Sequence, residues 1–153
     1  MFDQSEFDVR CEWGEEGASR LALASDVVII VDVMSFSTCV SVAVSQGAIV
    51  YPFRAKDETG VSFARSMGGE LAGARGVGQY SLSPTSLVHI PPGTRLVLPS
   101  PNGATLSLAT GKTTALAGCL RNASAVARVA TSMGKKIAVI PAGERWRDSN
   151  TLR

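Results

Sequence analysis

The sequence predicts an α/β domain of three layers, α/β/α, around a central sheet that is mostly parallel and in part mixed. Three observations carry this. Residues 27–31 (VVIIV) form an unbroken β-branched run, the mark of a strand buried on both faces. Further short apolar runs alternate along the chain with stretches of helical spacing, which implies right-handed crossovers and helices on both faces. Several of these runs open into polar loops that lead straight into a helix N-terminus, as in sheets that bind ligands at their carboxyl edge.

Segments 7–13 and 26–32 read as strands. Residues 36–46 carry apolar positions compatible with a helix, which Gly47 ends. Residues 48–53 (AIVYPF) read as a strand that follows its helix closely, which is the reason to expect a mixed portion. Asp57 is placed to cap a helix running to Met67. Residues 68–78 hold five glycines and read as a loop. A strand at 94–99 follows, then the loop SPNG and a helix over 104–109. Residues 113–118 read as a strand and 122–133 as a helix capped by Asn122 and stopped by Gly134. The last strand and its exit cover 135–143.

At 153 residues, the chain is long enough for one domain with a real core, assigned here to residues 1–153. Hydrophobic residues make up 45% and charged residues 18%, a globular composition. The net charge of +2 is too small to argue for nucleic acid. No apolar run approaches the roughly 20 residues of a membrane span, and the polar, acidic start is not a secretory signal. Cys11, Cys39 and Cys119 are widely spaced and match neither a zinc pattern nor a disulfide framework. A reducing cytoplasm is the expected setting.

The predicted carboxyl edge would gather Asp32, Ser35, Ser37, Asn102, Arg121, Asn122, Glu144 and Arg145. Free N–H groups at helix starts favour anions there. Asp32 at a strand exit reads equally as a turn aspartate or as a metal ligand or nucleophile. An aspartyl phosphatase needs a second Asp two residues on, where Met34 stands. A cysteine phosphatase needs Arg six residues after its thiol, where Ser45 and Ala125 stand. His89, the one histidine, precedes Ile90-Pro91-Pro92 and reads as an exposed connector. A general base therefore falls to a carboxylate or a metal-bound water. The loop arginines Arg75 and Arg121 offer rigid forks that match phosphate, sulfonate or carboxylate, against a bland reading as surface charge. Asp32 and Glu144 suit Mg²⁺, which takes one or two carboxylates plus waters and phosphate. For Glu144, a salt bridge is as good a reading.

Four stretches, VDVMSFSTCVSVAVSQGA, LPSPNGATL, AGCLRNASAVA and IAVIPAGERW, resemble the 2-phosphosulfolactate phosphatase family in order and spacing, from about residue 26 onward. The resemblance implies a Mg²⁺-dependent α/β/α phosphatase converting 2-phosphosulfolactate to sulfolactate, a step toward coenzyme M. By position it maps the family's Asp onto Asp32, its Asn-Gly turn onto Asn102-Gly103 and its Asn-Ala-Ser helix start onto Asn122 to Ser124. Departures stand at Ser35 and Thr105, where the family has Arg, at Ala74, where it has Glu, and at Ser81 to Pro84, where it has Gly-Asn-Ser-Pro. The family also continues past Arg153, so the domain is expected to be incomplete at its C-terminus and to form a homo-oligomer. The expected set is therefore Asp32 and Asn102 in catalysis, and Ser35, Ser37, Arg75, Gly103, Arg121 and Asn122 on a small anionic phosphoester. Asp32 and Glu144 would hold Mg²⁺. The alternative is a non-catalytic anion-binding or interaction module.

Overall fold

The computed structural model describes residues 4–54 and 57–143. Strands and helices alternate, and every strand pairing is parallel. The α/β class is as the pattern predicts, but the mixed portion expected around 48–53 is not found. The strands instead sort into two sheets.

Strands β1 (Val9–Cys11), β2 (Val27–Val31), β6 (Ala115–Gly118) and β7 (Ile137–Pro141) form the first sheet, in the order β1-β7-β2-β6. Strands β3 (Ile49–Phe53), β4 (Glu70–Leu71) and β5 (Arg95–Pro99) form the second, in the order β3-β5-β4. β2 is central and buried on both faces, which is why its sequence never alternates with polar residues. Val28 and Ile30 pack toward α1 (Gly14–Ala22), with Leu21, Ala138 and Ile140. Leu106 of α4 (Gly103–Ala109) joins them. Val27 faces the other way, onto Ala130 of α5 (Ala123–Met133). The first sheet is thus covered on both faces.

In the second sheet, Tyr51 and Phe53 of β3 meet Phe63 of α3 (Glu58–Ser66). Leu96 and Leu98 of β5 pack with Phe36, Cys39, Val42 and Ala43 of α2 (Phe36–Ser45). Helices α2 and α4 each touch both sheets, so these two helices tie the sheets together. Asp57 caps α3 as its sequence predicts, accepting from the Thr59 N–H at 3.0 Å and the Gly60 N–H at 3.2 Å.

One α-helix and one strand were hidden in the sequence. α1 opens on Gly14 and contains Gly17, residues that argue against a helix. Gly17 is needed because a Cβ there would lie 2.6 Å from Glu12 Cγ. β4 is two residues long and sits inside the glycine-rich stretch.

Candidate functional site

β2 ends at Val31, and Asp32 follows at the carboxyl edge of the first sheet. Its backbone is locked by the side chain of Ser37. The Asp32 N–H donates to Ser37 Oγ (3.0 Å), and that hydroxyl donates to the Ile30 carbonyl (3.0 Å). The Ser37 N–H donates to the Asp32 carbonyl at 2.8 Å. Thr38 Oγ1 donates to the Val33 carbonyl (2.9 Å). The short hydroxyl side chains after the strand are therefore the clamps of a tight strand-to-helix turn. Within it Met34 is 88% exposed while Asp32 is only 9% exposed.

The Asp32 carboxylate reaches the start of α4. Its Oδ2 accepts from the Gly103 N–H at 2.8 Å, the first amide of α4, which follows β5. Ser100 Oγ accepts from the same N–H at 3.1 Å. Gly103 is required here. A Cβ at that position would lie 2.3 Å from Phe36 Cδ1 and 2.7 Å from Asp32 Oδ2. Asn102 sits half-buried at the N-cap of α4, and its side chain makes no capping hydrogen bond.

A third contribution comes from the glycine-rich loop. Arg75 Nη2 donates to Ser35 Oγ, and its Nε donates to the Leu82 carbonyl at 3.0 Å. Ser35 is buried at the N-cap of α2, and its hydroxyl does not cap the helix. Cys39, one turn into α2, is buried, and burial pushes its thiol up to about 12. The Arg75 guanidinium lowers that value and the Asp32 carboxylate raises it. Cys39 is an inert core thiol.

The structure thus brings together Asp32, Ser35, Arg75, Asn102 and Gly103. Two residues expected at the ligand have framework roles instead. Ser37 is fully buried, with its hydroxyl committed to Asp32 and Ile30. Asn122 turns its amide back on the β6–α5 loop. Its Oδ1 accepts from the Cys119 N–H (2.8 Å), and its Nδ2 donates to the Ala117 carbonyl (2.9 Å). Asn122 holds the N-cap position of α5 but does not cap it with its side chain. Arg121 is exposed and donates to Ser41 Oγ of α2 at 3.0 Å, a partner far from its own loop in sequence. Glu144 and Arg145 lie outside the described residues. Sequence reasoning passed over Ser100, which is 2% exposed. The available signal was a hydroxyl at a strand exit, three residues before a helix-starting glycine.

Among the described residues, no three His, Cys, Asp or Glu side chains group as a preformed metal cage. A single rim carboxylate fits Mg²⁺ as one ligand, because that ion keeps several waters and binds through one or two carboxylates.

One carboxylate, two helix starts and a guanidinium thus gather at the carboxyl edge of parallel strands in a protein of the α/β class. More particularly, the chain belongs to the 2-phosphosulpholactate phosphatase family, whose model matches residues 16–150. No curated protein sequence matches the chain closely enough to count as a relative. No helix among the described residues is long and apolar enough to cross a membrane.

Proposed function

We propose that this protein is a Mg²⁺-dependent phosphatase that hydrolyses 2-phosphosulfolactate to sulfolactate and phosphate. One observation carries the reading. The buried Asp32 carboxylate stands at the end of the central strand and is bonded to the first amide of α4, in a chain whose family carries the name of a 2-phosphosulpholactate phosphatase.

Each residue has a part. Asp32 supplies the negative charge of the site and, with Glu144, is the residue that would hold Mg²⁺. When bound, the ion would neutralise phosphoryl charge and lower the pKa of a coordinated water. The bond from Gly103 fixes the direction of the Asp32 carboxylate, so that group needs no reorganisation during reaction. The Asn102 carboxamide, unused by the helix it starts, donates to a phosphoryl oxygen. The Arg75 fork takes an acidic group of the substrate. Water is the attacking group, and Ser37 keeps the turn from moving.

Phosphate release from 2-phosphosulfolactate tests this, measured with Mg²⁺ and again after chelation. Release that depends on Mg²⁺ is expected. Phosphate binding without turnover in Mg²⁺ would replace the reading with a non-catalytic anion-binding module.

A further inference from the structure

The loop that follows β4 is closed at its base, where the Gly73 N–H donates to the Tyr80 carbonyl at 2.8 Å and Gly73 bridges to Ser81. Between these anchors residues 74–79 are exposed. Gly76 (φ 76°) and Gly78 (φ 77°) take left-handed backbone in open space, so the loop is shaped by glycine and not by packing. Arg75 is the side chain that carries this loop to the Asp32 turn, through Ser35.

The pairing is unusual on both sides. Ser35 occupies a helix N-cap, where a serine hydroxyl ordinarily accepts from the second or third amide of the helix, yet it accepts from Arg75 instead. The guanidinium has five N–H donors. Two are spent, on Leu82 and Ser35. Among the described residues it has no carboxylate partner, since the ion pairs present are Arg20–Glu16, Arg54–Glu15 and Lys136–Asp8. A cation with unspent donors is thus held at Ser35, beside the first turn of a ten-residue helix.

We infer that Ser35 is a positioning residue whose hydroxyl holds the Arg75 guanidinium over the start of α2, where the guanidinium binds an oxyanion of the ligand. This rests on the reading of the Asp32 edge as an anionic substrate site. Ser35 acts on the ligand through Arg75, so its loss and the loss of Arg75 remove the same interaction.

Inorganic phosphate is the probe, titrated into the full chain by isothermal calorimetry, with circular dichroism to verify each fold. Ser35→Ala and Arg75→Ala should each weaken phosphate binding roughly tenfold, as expected for one charge-assisted contact. The double variant should bind no more weakly than Arg75→Ala alone, and Ser35→Thr should bind like the parent. If Ser35→Ala fails to fold, Ser35→Cys, nearly isosteric with a poorer acceptor, takes its place and should show the same loss. The inference is overturned by phosphate not binding the parent protein, by undiminished affinity in Ser35→Ala or Ser35→Cys, or by additive losses in the double variant. Phosphate affinities that follow the expected pattern, without hydrolysis of 2-phosphosulfolactate, support this inference and remove the phosphatase reading.

Discussion

Gly103 is the residue on which the site closes. Its amide meets Asp32, and its missing side chain leaves room for Phe36 and the carboxylate. Gly103→Ala should therefore cost about 1–3 kcal/mol in urea denaturation, the usual cost of overpacking a tight contact, and should lower turnover as well. An unchanged midpoint would show that the contact gives way. The thiols give a second prediction. Thiolate is the reactive form, so exposed Cys11 should react with iodoacetamide in the folded protein, while buried Cys39 and Cys119 should react only on unfolding. Mass mapping of the adducts checks this, and Cys39 modified as fast as Cys11 would refute it. The sign of the pH effect follows. The Cys39 thiol stays protonated in the fold up to about 12, against an ordinary 9.0, so its unfolded form ionises first. The stability it contributes is intact below pH 9 and is lost as pH rises toward 12. At this scale, the sequence placed Asp32 and the Asn102-Gly103 turn at strand exits, where the structure has them. It did not show which hydroxyls face a ligand and which face the backbone. Ser35 and Ser37 are two residues apart, yet one meets a guanidinium and the other is fully buried.

Elements were legible where burial wrote a pattern. β2, β5 and β7 are apolar runs that sit in the cores, and α3 announces itself by the Asp57 cap. α1 was not legible because its glycines run against helix propensity: Gly14 takes a left-handed φ of 71° and Gly17 lies close against Glu12. Its C-terminal end is fastened by an unexpected residue. Arg10 of β1 is buried and donates from Nη2 to the Ala24 carbonyl and to Ser25 Oγ (2.9 Å), in the turn just past the end of the helix. Its Nε is buried with no partner. Arg10→Ala should lower stability by about 1 kcal/mol, because the Ala24 carbonyl and Ser25 Oγ lose a charged donor at a part-buried place. Denaturant titration with an unchanged midpoint would show that the unsatisfied Nε already cancels the gain.

The sequence predicts one sheet, and the described residues form two parallel sheets. Strand identity is local, but which strands become neighbours depends on where α2 and α4 lodge, and both touch each sheet. Pairing between strands tens of residues apart leaves no local mark. Asp32 therefore joins residues 71 positions apart, across the carboxyl ends of both sheets. Removing the carboxylate entirely should separate structure from chemistry. Asp32→Asn keeps an oxygen that can accept from the Gly103 N–H, whereas Asp32→Ala leaves Ser100 as the sole remaining acceptor. The alanine variant should be less stable by about 1 kcal/mol, and equal midpoints would deny the bridge a structural role. The asparagine variant then decides the chemistry. The most direct measurement is Mg²⁺-dependent phosphate release from 2-phosphosulfolactate by the parent chain and by Asp32→Asn, with the fold of each verified. The account predicts turnover by the parent and a loss of roughly 10²–10³-fold or more in the variant. Turnover by Asp32→Asn at the parental rate would contradict it.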